Sequence, residues 1–209
     1  MSPLFLVLSG VLGYLLGSIP TGYLVVGALT GADVRQVGSG RTGGTNAMRA
    51  GGVRAFVLTG IGDMLKGFAA VIVARQLTGD WALAQAVAGV AAVIGHNWSV
   101  FLGFKGGAGT GPNIGVCIAL WPFSALWLIP LVPLGVFVVG YASVTSLVIA
   151  ALIPIMLAFR AAAGLSSWVY VGYGVAAALT IVWALRPNIQ RLRAGTEPRV
   201  RRGPFGGKA

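Results

Sequence analysis

Residues 111–159 contain no charged side chain, and this long apolar run limits the chain to few architectures. About 25% of the residues of a soluble domain are charged, whereas 9% of this chain is charged and 56% is hydrophobic. So few charges cannot cover a water-facing surface. The composition therefore excludes a soluble globule, a disordered chain and a coiled coil. It predicts an integral membrane protein.

The apolar segments divide into about seven transmembrane helices, which predicts an all-α, polytopic membrane bundle with two glycine-rich cytoplasmic loops. A spanning helix needs about 20 residues, so the charge-free run holds more than two helices. Pro122 and the Gly140–Tyr141 junction are its natural breaks. An alternative with six spans joins residues 111–140 into one bent helix. The seven predicted spans are residues 4–29, 53–76, 81–94, 114–121, 123–140, 143–159 and 166–185.

The basic residues favour seven spans, with the N-terminus outside and the C-terminus in the cytoplasm. Basic residues accumulate on the cytoplasmic side of membrane proteins, and an odd number of spans places most of them on one side. A net charge of +11 would suggest nucleic acid in a soluble protein, but here it indicates membrane topology and anionic lipid or substrate. The residues on that side are Arg35, Arg41, Arg49, Arg54, Lys105, Arg186, Arg191, Arg193, Arg199, Arg201, Arg202 and Lys208.

Residues 31–52 form a polar loop, called here the first loop, with the composition of a phosphate cradle. Six glycines lie between Gly38 and Gly52, beside Ser39, Thr45 and several arginines. Glycines let backbone N–H groups turn toward an anion, and hydroxyl and guanidinium groups complete its surroundings. The alternative is a flexible loop whose arginines only set the topology. It is not a Walker A loop, because no Gly-Lys-Ser/Thr follows.

Residues 96–113 form a second glycine-rich basic segment, called here the third loop. It begins with His96, the only histidine, and contains Lys105 followed by four glycines. A single histidine at a helix end is usually structural or interfacial, but a second loop of this kind favours substrate contact. Asp63 and Lys66 are three residues apart and so share one face of the second span. We predict that they form an ion pair that supports a polar site.

The residue inventory limits the possible chemistry. Cys117 and His96 are each the only residue of their type, and the chain has four acidic residues. These numbers exclude a multi-histidine or cysteine metal site and disfavour a carboxylate cage, so no metal and no cofactor is expected. No Ser–His–Asp set and no G-x-S-x-G motif occurs. An enzyme of this composition would therefore act by positioning two reactants and balancing their charge, rather than through a covalent intermediate.

These segments, in this order, resemble the bacterial acyl-phosphate-dependent glycerol-3-phosphate acyltransferases, and the resemblance covers most of the chain. Several spaced motifs in one order are far more specific than a single glycine-rich loop. The matching residues are Gly17-Ser18-Ile19-Pro20, Asp33-Val34-Arg35, Gly38-Ser39-Gly40, Gly43-Gly44-Thr45-Asn46 with Arg49, Asp63 with Lys66-Gly67, Gly95-His96, Phe104-Lys105-Gly106-Gly107 with Gly109, and Asn188-Ile189 with Arg191-Leu192, Gly195 and Glu197.

The chain departs from the family pattern at a few positions. Arg41 stands where the family usually has asparagine, and Gly44 replaces alanine. Ala108 stands where the family has a lysine, and Pro187 lies near a usual histidine. Residues 110–112 are Thr-Gly-Pro, where the family usually has Val-Ala-Thr. The lost lysine removes a cation from an anion-binding loop and Arg41 adds one, so the charge is either relocated or the activity is altered.

The resemblance implies that the chain transfers an acyl group from acyl phosphate to the 1-hydroxyl of sn-glycerol-3-phosphate. The products would be lysophosphatidic acid and phosphate, in the first acylation of phospholipid synthesis. It implies that Ser39, Arg49 and Lys105 hold glycerol-3-phosphate and that His96 is the catalytic residue at the acyl phosphate. The other residues implied around the acyl-phosphate group are Gly43, Thr45, Asn46 and Asn188, with Glu197 orienting a basic partner.

The predicted organisation is a single membrane-embedded acyltransferase domain of residues 1–195 and a basic, disordered tail of residues 196–209. The implied location is the bacterial inner membrane, with the active site in the cytoplasm. Partners are acyl phosphate, glycerol-3-phosphate and membrane lipids, with no nucleic acid, as a monomer or an oligomer of unknown size. Two other functions remain open: a non-catalytic relative that binds acyl phosphate or phospholipid, and a small organic-phosphate transporter.

Overall fold

The computed structural model describes residues 2–200, which are helical with no β-strand among them. The predicted all-α membrane fold is confirmed. Within residues 2–200, five helical segments are long and apolar enough to cross a membrane, and the bent pair α8–α9 makes a sixth. The shorter apolar helix α5 is the seventh segment. The helices are α1 (Pro3–Ser18), α2 (Thr21–Thr30), α3 (Gly44–Thr78), α4 (Ala82–Asn97), α5 (Thr110–Leu120), α6 (Ala125–Pro133), α7 (Ala142–Ala162), α8 (Val169–Ala184) and α9 (Arg186–Arg193).

Proline and glycine set the breaks between these helices. Pro20 separates α1 from α2 within the first predicted span. The chain leaves α5 at Trp121 and begins a 3₁₀ turn at Pro122, and Gly140 adopts a left-handed conformation before α7. The predicted breaks at Pro122 and Gly140 are therefore the observed ones. Both follow from ordinary backbone chemistry, because proline lacks an N–H donor and glycine tolerates positive φ.

The first loop is shorter than predicted, because the helix α3 begins at Gly44 rather than after Gly52. The prediction of an irregular segment throughout 31–52 is wrong at this point. Gly51 (φ −140°) and Gly52 (φ +71°) interrupt α3, so that residues 44–50 form a short helix set at an angle to the span. The apolar periodicity of the sequence begins only after this break and therefore gave no sign of the short helix.

Glycines allow the central helices to touch backbone to backbone. A Cβ atom at Gly13 or Gly17 of α1 would lie 2.4 Å or 2.1 Å from carbonyl oxygens of α4. A Cβ at Gly67 of α3 would lie 2.2 Å from the Pro112 oxygen of α5, and one at Gly115 would lie 1.9 Å from the oxygen of the facing residue in α3. Small residues at such crossings are typical of membrane bundles, where close approach supplies the packing energy.

Large apolar side chains cover the outside of the bundle. Phe123, Leu126 and Phe159 are 68%, 70% and 74% exposed. A soluble monomer rarely exposes apolar surface on this scale, whereas the hydrocarbon of a bilayer covers it without cost. The inner cluster is built from helices α3 to α8, and includes Val93, Ile149 and Ile181. This is the arrangement expected for an integral membrane protein.

The start of the predicted tail is attached to the bundle. The Val200 N–H donates to the Gly140 oxygen over 2.7 Å, and Arg199 donates from Nε to the Tyr141 hydroxyl over 2.8 Å. Glu197, Arg199 and Val200, which the prediction placed in the tail, therefore contact the bundle. Residues 201–209, the rest of the predicted tail, lie outside the described residues.

Candidate functional site

A buried ion pair lies where α2, α3 and α4 meet. Lys66 Nζ is 3.0 Å from Asp63 Oδ1, and the two side chains are 5% and 4% exposed. Lys66 also donates to the Ile19 oxygen over 2.8 Å, and the Thr21 hydroxyl donates to Asp63. The structure thus forms the ion pair that the three-residue spacing predicts. Asp63 lies ten residues after Val53, about 15 Å of helix rise, so the pair is recessed into the bundle.

His96 extends this charged group toward the third loop. Its Nδ1 is 3.4 Å from Asp63 Oδ1, and the ring is buried. Gly107 lies against the other nitrogen, since a Cβ atom at Gly107 would be 2.0 Å from His96 Nε2. The Gly107 N–H also donates to the His96 backbone oxygen over 3.0 Å. The carboxylate fixes the orientation of the imidazole, and the absence of a side chain at Gly107 leaves room for Nε2.

Asn46 holds the first loop in place. Its Nδ2 lies within hydrogen-bonding distance of three carbonyl oxygens, those of Val34 (2.9 Å), Val37 (2.8 Å) and Arg41 (2.7 Å). Its Oδ1 accepts from the Ser39 N–H over 3.2 Å. The side chain is buried, so its amide group is devoted to the backbone of the loop. Asn46 thereby gives a segment rich in glycine one defined shape.

The residues predicted for glycerol-3-phosphate lie on the exposed rim of the site. Ser39, Arg49 and Lys105 are all exposed, and Arg49 Nη1 is 3.5 Å from Asn46 Oδ1, the atom that also accepts from Ser39. The first and third loops touch through the Thr42 N–H, which lies 3.4 Å from the Gly106 oxygen. Ser39 and Arg49 are therefore joined through one side chain, and the adjoining loop carries Lys105.

Two helices begin beside these loops without a side-chain cap. Gly43 precedes α3 and Gly109 precedes α5, and neither helix start receives a capping side chain. The first N–H groups of a helix lack partners within the helix and carry a partial positive charge, which suits a phosphate oxygen. Thr45 lies in the first turn of α3. The predicted contribution of Gly43 and Thr45 to a phosphate cradle is therefore compatible with the backbone.

Arg41 joins three parts of the chain at the centre of the site. Its Nη1 donates to the Gly107 oxygen over 2.9 Å. Its Nη2 donates to the Ala184 oxygen at the end of α8, and lies 3.4 Å from Asn188 Oδ1. Burial lowers the pKa of the guanidinium from its usual value, and the Arg191 charge acts in the same direction.

Glu197 collects the C-terminal part of the site. It accepts from Asn188 Nδ2, Arg191 Nε and the Ser143 hydroxyl, each over 2.8 Å. Burial alone would raise the pKa of this carboxyl, but the hydrogen bonds from Asn188, Ser143 and Arg191 outweigh it and hold the pKa below its usual value. Arg191 is thus the basic residue that Glu197 contacts.

The site as a whole is a basic, glycine-lined surface over a buried ion network. Its open rim carries Arg49 and Lys105, and Arg41 and His96 lie deeper. Such an arrangement binds phosphate groups through guanidinium, ammonium and backbone N–H donors. Within residues 2–200, no group of three or more His, Cys, Asp or Glu side chains is placed to hold a metal ion.

Sequence reasoning missed Thr21, Ser143 and the packing role of Gly107. Thr21 directly follows the Gly17–Pro20 motif, and this position could have identified it as a candidate site residue. Ser143 has none, because only the fold brings α7 to Glu197. Arg41 was noted as a departure from a pattern, but its three contacts depend on the arrangement of two loops and α8.

Comparison with known sequences gives one consistent match. The sequence profile of the family described as glycerol-3-phosphate acyltransferase matches residues 7–195. A glycerol-3-phosphate acyltransferase of Rubrobacter xylanophilus is 44% identical over 97% of this chain and 96% of its own length. One from a Synechococcus species is 42% identical over 90% and 92% of the two chains.

Solved structures agree with the sequence comparison. Crystal structures of the integral membrane glycerol 3-phosphate acyltransferase PlsY (YgiH) superimpose with a TM-score of 0.79. The glycerol 3-phosphate form is 36% identical and the match covers 93% of this chain and 94% of that one. The lysophosphatidic acid form is 34% identical, with coverage of 94% and 96%.

Proposed function

This chain belongs to the glycerol-3-phosphate acyltransferase family, and on that premise we propose that it transfers an acyl group from acyl phosphate to the 1-hydroxyl of glycerol-3-phosphate. The observation that supports this most strongly is the pairing of two glycine-rich loops, each followed by an uncapped helix N-terminus, around His96. Both proposed reactants carry phosphate, which such loops bind. Membership of the family makes the chain an acyltransferase. The acyl phosphate donor and the position that is acylated are our proposal.

The proposed reaction needs no nucleophile from the protein. The glycerol 1-hydroxyl oxygen attacks the acyl carbonyl carbon, a new ester bond forms, and the bond from that carbon to the phosphate oxygen breaks. Inorganic phosphate leaves with the bonding electron pair and takes the hydroxyl proton. The protein contributes orientation of the two reactants and charge balance. We place glycerol-3-phosphate at Ser39, Arg49 and Lys105, on the exposed rim.

We place the acyl-phosphate group deeper, between His96, Asn188 and the N-terminus of α3 at Gly43 and Thr45. His96 Nδ1 faces Asp63, so Nε2 is the nitrogen available to the phosphoryl group. We propose that His96 binds this group rather than serving as an obligatory base. The test is the pH profile: a rise in the donor KM on deprotonation supports binding. A kcat that follows one titration while the donor KM stays constant contradicts it.

An apolar groove between α4 and α8 is the proposed site of the acyl chain. Its volume is about 510 Å³. It extends from Leu83 to Ile94 along α4, about 17 Å of helix rise, and ends two residues before His96. The expected result is that Val90→Trp raises the KM of palmitoyl phosphate and leaves that of a short-chain acyl phosphate unchanged. Equal effects on both donors would contradict this placement. The lining residues are Leu83, Ala86, Val87, Val90, Ala91, Ile94, Val169, Gly172 and Tyr173.

The reaction itself is tested by phosphate release from purified protein in detergent. Palmitoyl phosphate and glycerol-3-phosphate are supplied together and singly, and palmitoyl-CoA serves as the control donor. The expected result is release that requires both substrates and is lost in Arg49→Ala but retained in Arg54→Ala, because Arg54 is exposed outside the site. Binding of both substrates without any release would identify a non-catalytic relative. Flux into proteoliposomes without acylation would identify a transporter.

We also propose a bacterial plasma-membrane location with the site facing the cytoplasm. Cys117 is fully buried, so a new cysteine can be labelled against a low background. Ala163→Cys lies in the exposed connection between α7 and α8, and Ala194→Cys lies just after α9. In intact cells, a membrane-impermeant maleimide is expected to label only the cysteine at 163. Labelling of only the cysteine at 194 would reverse the proposed topology.

A further inference from the structure

The guanidinium of Arg41 is held by carbonyl and amide oxygens alone. It donates to Gly107 and Ala184 and lies near Asn188 Oδ1. Arginine has five N–H groups, so Nε–H and one Nη1–H have no acceptor within the described part of the chain. The fork is therefore fixed in direction by neutral groups and retains two donors.

No carboxylate neutralises this charge. Among residues 2–200, Arg41 takes part in no salt bridge. Glu197 is the acidic residue whose charge acts on Arg41. Its carboxylate already accepts hydrogen bonds from Asn188, Ser143 and Arg191. A partly buried cation without a counter-ion is costly, and a bound anion offsets that cost. The charge state of the site therefore favours an anionic ligand beside Arg41.

The position of Arg41 also bears on the missing lysine of the third loop. Ala108 stands where the resembling family has lysine, and the carbonyl that accepts from Arg41 belongs to the adjacent Gly107. The first loop thus brings a cation to the part of the third loop that lacks one. Arg41 lies deeper than the exposed Arg49 and Lys105, on the side of Asn188.

We propose that Arg41 binds the phosphoryl group of the acyl donor and supplies the cation that Ala108 does not. This rests on the proposed function, because it assumes that the deeper of the two phosphate positions belongs to the donor. The guanidinium would donate from Nε–H to one phosphoryl oxygen in a charge-assisted hydrogen bond, and the remaining Nη1–H points away from that edge. Its contacts with Gly107 and Ala184 would hold the fork in place.

The kinetic test compares Arg41→Gln and Arg41→Lys with the control Arg54→Gln, which removes an exposed charge outside the site. Arg41→Gln is expected to raise the KM of palmitoyl phosphate about ten- to hundredfold, as for the loss of a charged hydrogen bond, with little change for glycerol-3-phosphate. Arg41→Lys is expected to recover part of the loss, and Ala108→Lys is expected to restore donor affinity in the Arg41→Gln background. Arg41→Gln kinetics equal to those of Arg54→Gln, or a rise in the KM of glycerol-3-phosphate alone, would overturn the proposal.

A binding test separates this proposal from the proposed reaction and from a purely structural role. Thermal unfolding is measured with dodecyl phosphonate, which cannot transfer an acyl group, and separately with glycerol-3-phosphate. The phosphonate is expected to raise the Tm of the wild type and to act at least tenfold more weakly on Arg41→Gln. Equal phosphonate affinity of these two proteins would refute the role of Arg41. A phosphonate effect that depends on Arg41 in an inactive wild type would refute only the reaction.

Discussion

Replacing Gly107 by alanine tests whether His96 Nε2 faces the reacting groups. The new Cβ would lie 2.0 Å from Nε2, whereas ordinary contacts begin at 3.4 Å, so the two atoms must separate by about 1.4 Å. The ring cannot simply retreat, because Nδ1 is 3.4 Å from the buried carboxylate of Asp63. A misplacement of about 1 Å costs roughly a hundredfold in rate, or about 2.7 kcal/mol of transition-state stabilisation. We therefore expect kcat to fall about a hundredfold.

The assay is phosphate release at saturating palmitoyl phosphate and glycerol-3-phosphate, with Tm measured on the same preparations. Gly60→Ala is the matched control, since a Cβ at Gly60 in α3 would meet nothing within 4 Å, and it is expected to keep the wild-type kcat. Overpacking costs about 1–3 kcal/mol, so some loss of Tm is expected for Gly107→Ala. A folded Gly107→Ala protein with wild-type kcat would show that Nε2 does not take part in the reaction.

Three further substitutions test the supports of the site. Asp63→Asn leaves Lys66 buried without its carboxylate and should lower stability by about 3–5 kcal/mol, seen as a lower Tm in detergent, whereas Asp80→Asn at an exposed position should not. Folding lowers the pKa of Glu197, so its contribution to stability is complete above its ordinary pKa of 4.5 and is lost as the pH falls through the folded pKa. Glu197→Gln should therefore flatten the fall in Tm at acidic pH. An unchanged dependence of Tm on pH would contradict this. Gly17→Ala places a Cβ 2.1 Å from a carbonyl oxygen of α4 and should lower the Tm by forcing α1 away, a result that size-exclusion chromatography can distinguish from aggregation.

The fold was predictable from the sequence because the bilayer imposes a simple rule on it. Apolar segments of a set length must form helices whose backbone groups are satisfied internally, so hydropathy, Pro122 and Gly140 were sufficient to locate the long helices. The helix at residues 44–50 was not predicted, because hydropathy does not determine where it forms. It lies outside the apolar pattern, and its shape depends on the hydrogen bonds of Asn46 with three carbonyl oxygens of the first loop.

For the candidate site, the sequence indicated which residues are charged but not which groups they contact. The spacing of Asp63 and Lys66 predicts their ion pair, since both lie on one helix face. It cannot show that the same carboxylate oxygen also approaches His96 and receives the hydroxyl of Thr21, because these groups come from other helices. The position of Arg41 against the end of α8 is likewise a property of the packed bundle. Local rules thus identify charged groups, and tertiary packing assigns their partners.

The charge balance of the site explains why its cations differ in depth. A terminal phosphate group carries about 1.5 to 2 negative charges at neutral pH, so the two proposed substrates together bring about three to four. Lys66 and Arg191 are paired with Asp63 and Glu197 and so contribute little net charge. Arg41, Arg49 and Lys105 remain, and three cations nearly match the incoming charge. Two of them lie on the rim, where solvent also screens the acceptor phosphate. We propose that the donor phosphate lies deeper, where His96, the partly buried guanidinium of Arg41 and backbone N–H groups surround it, so the deep position is where losing one charge matters most.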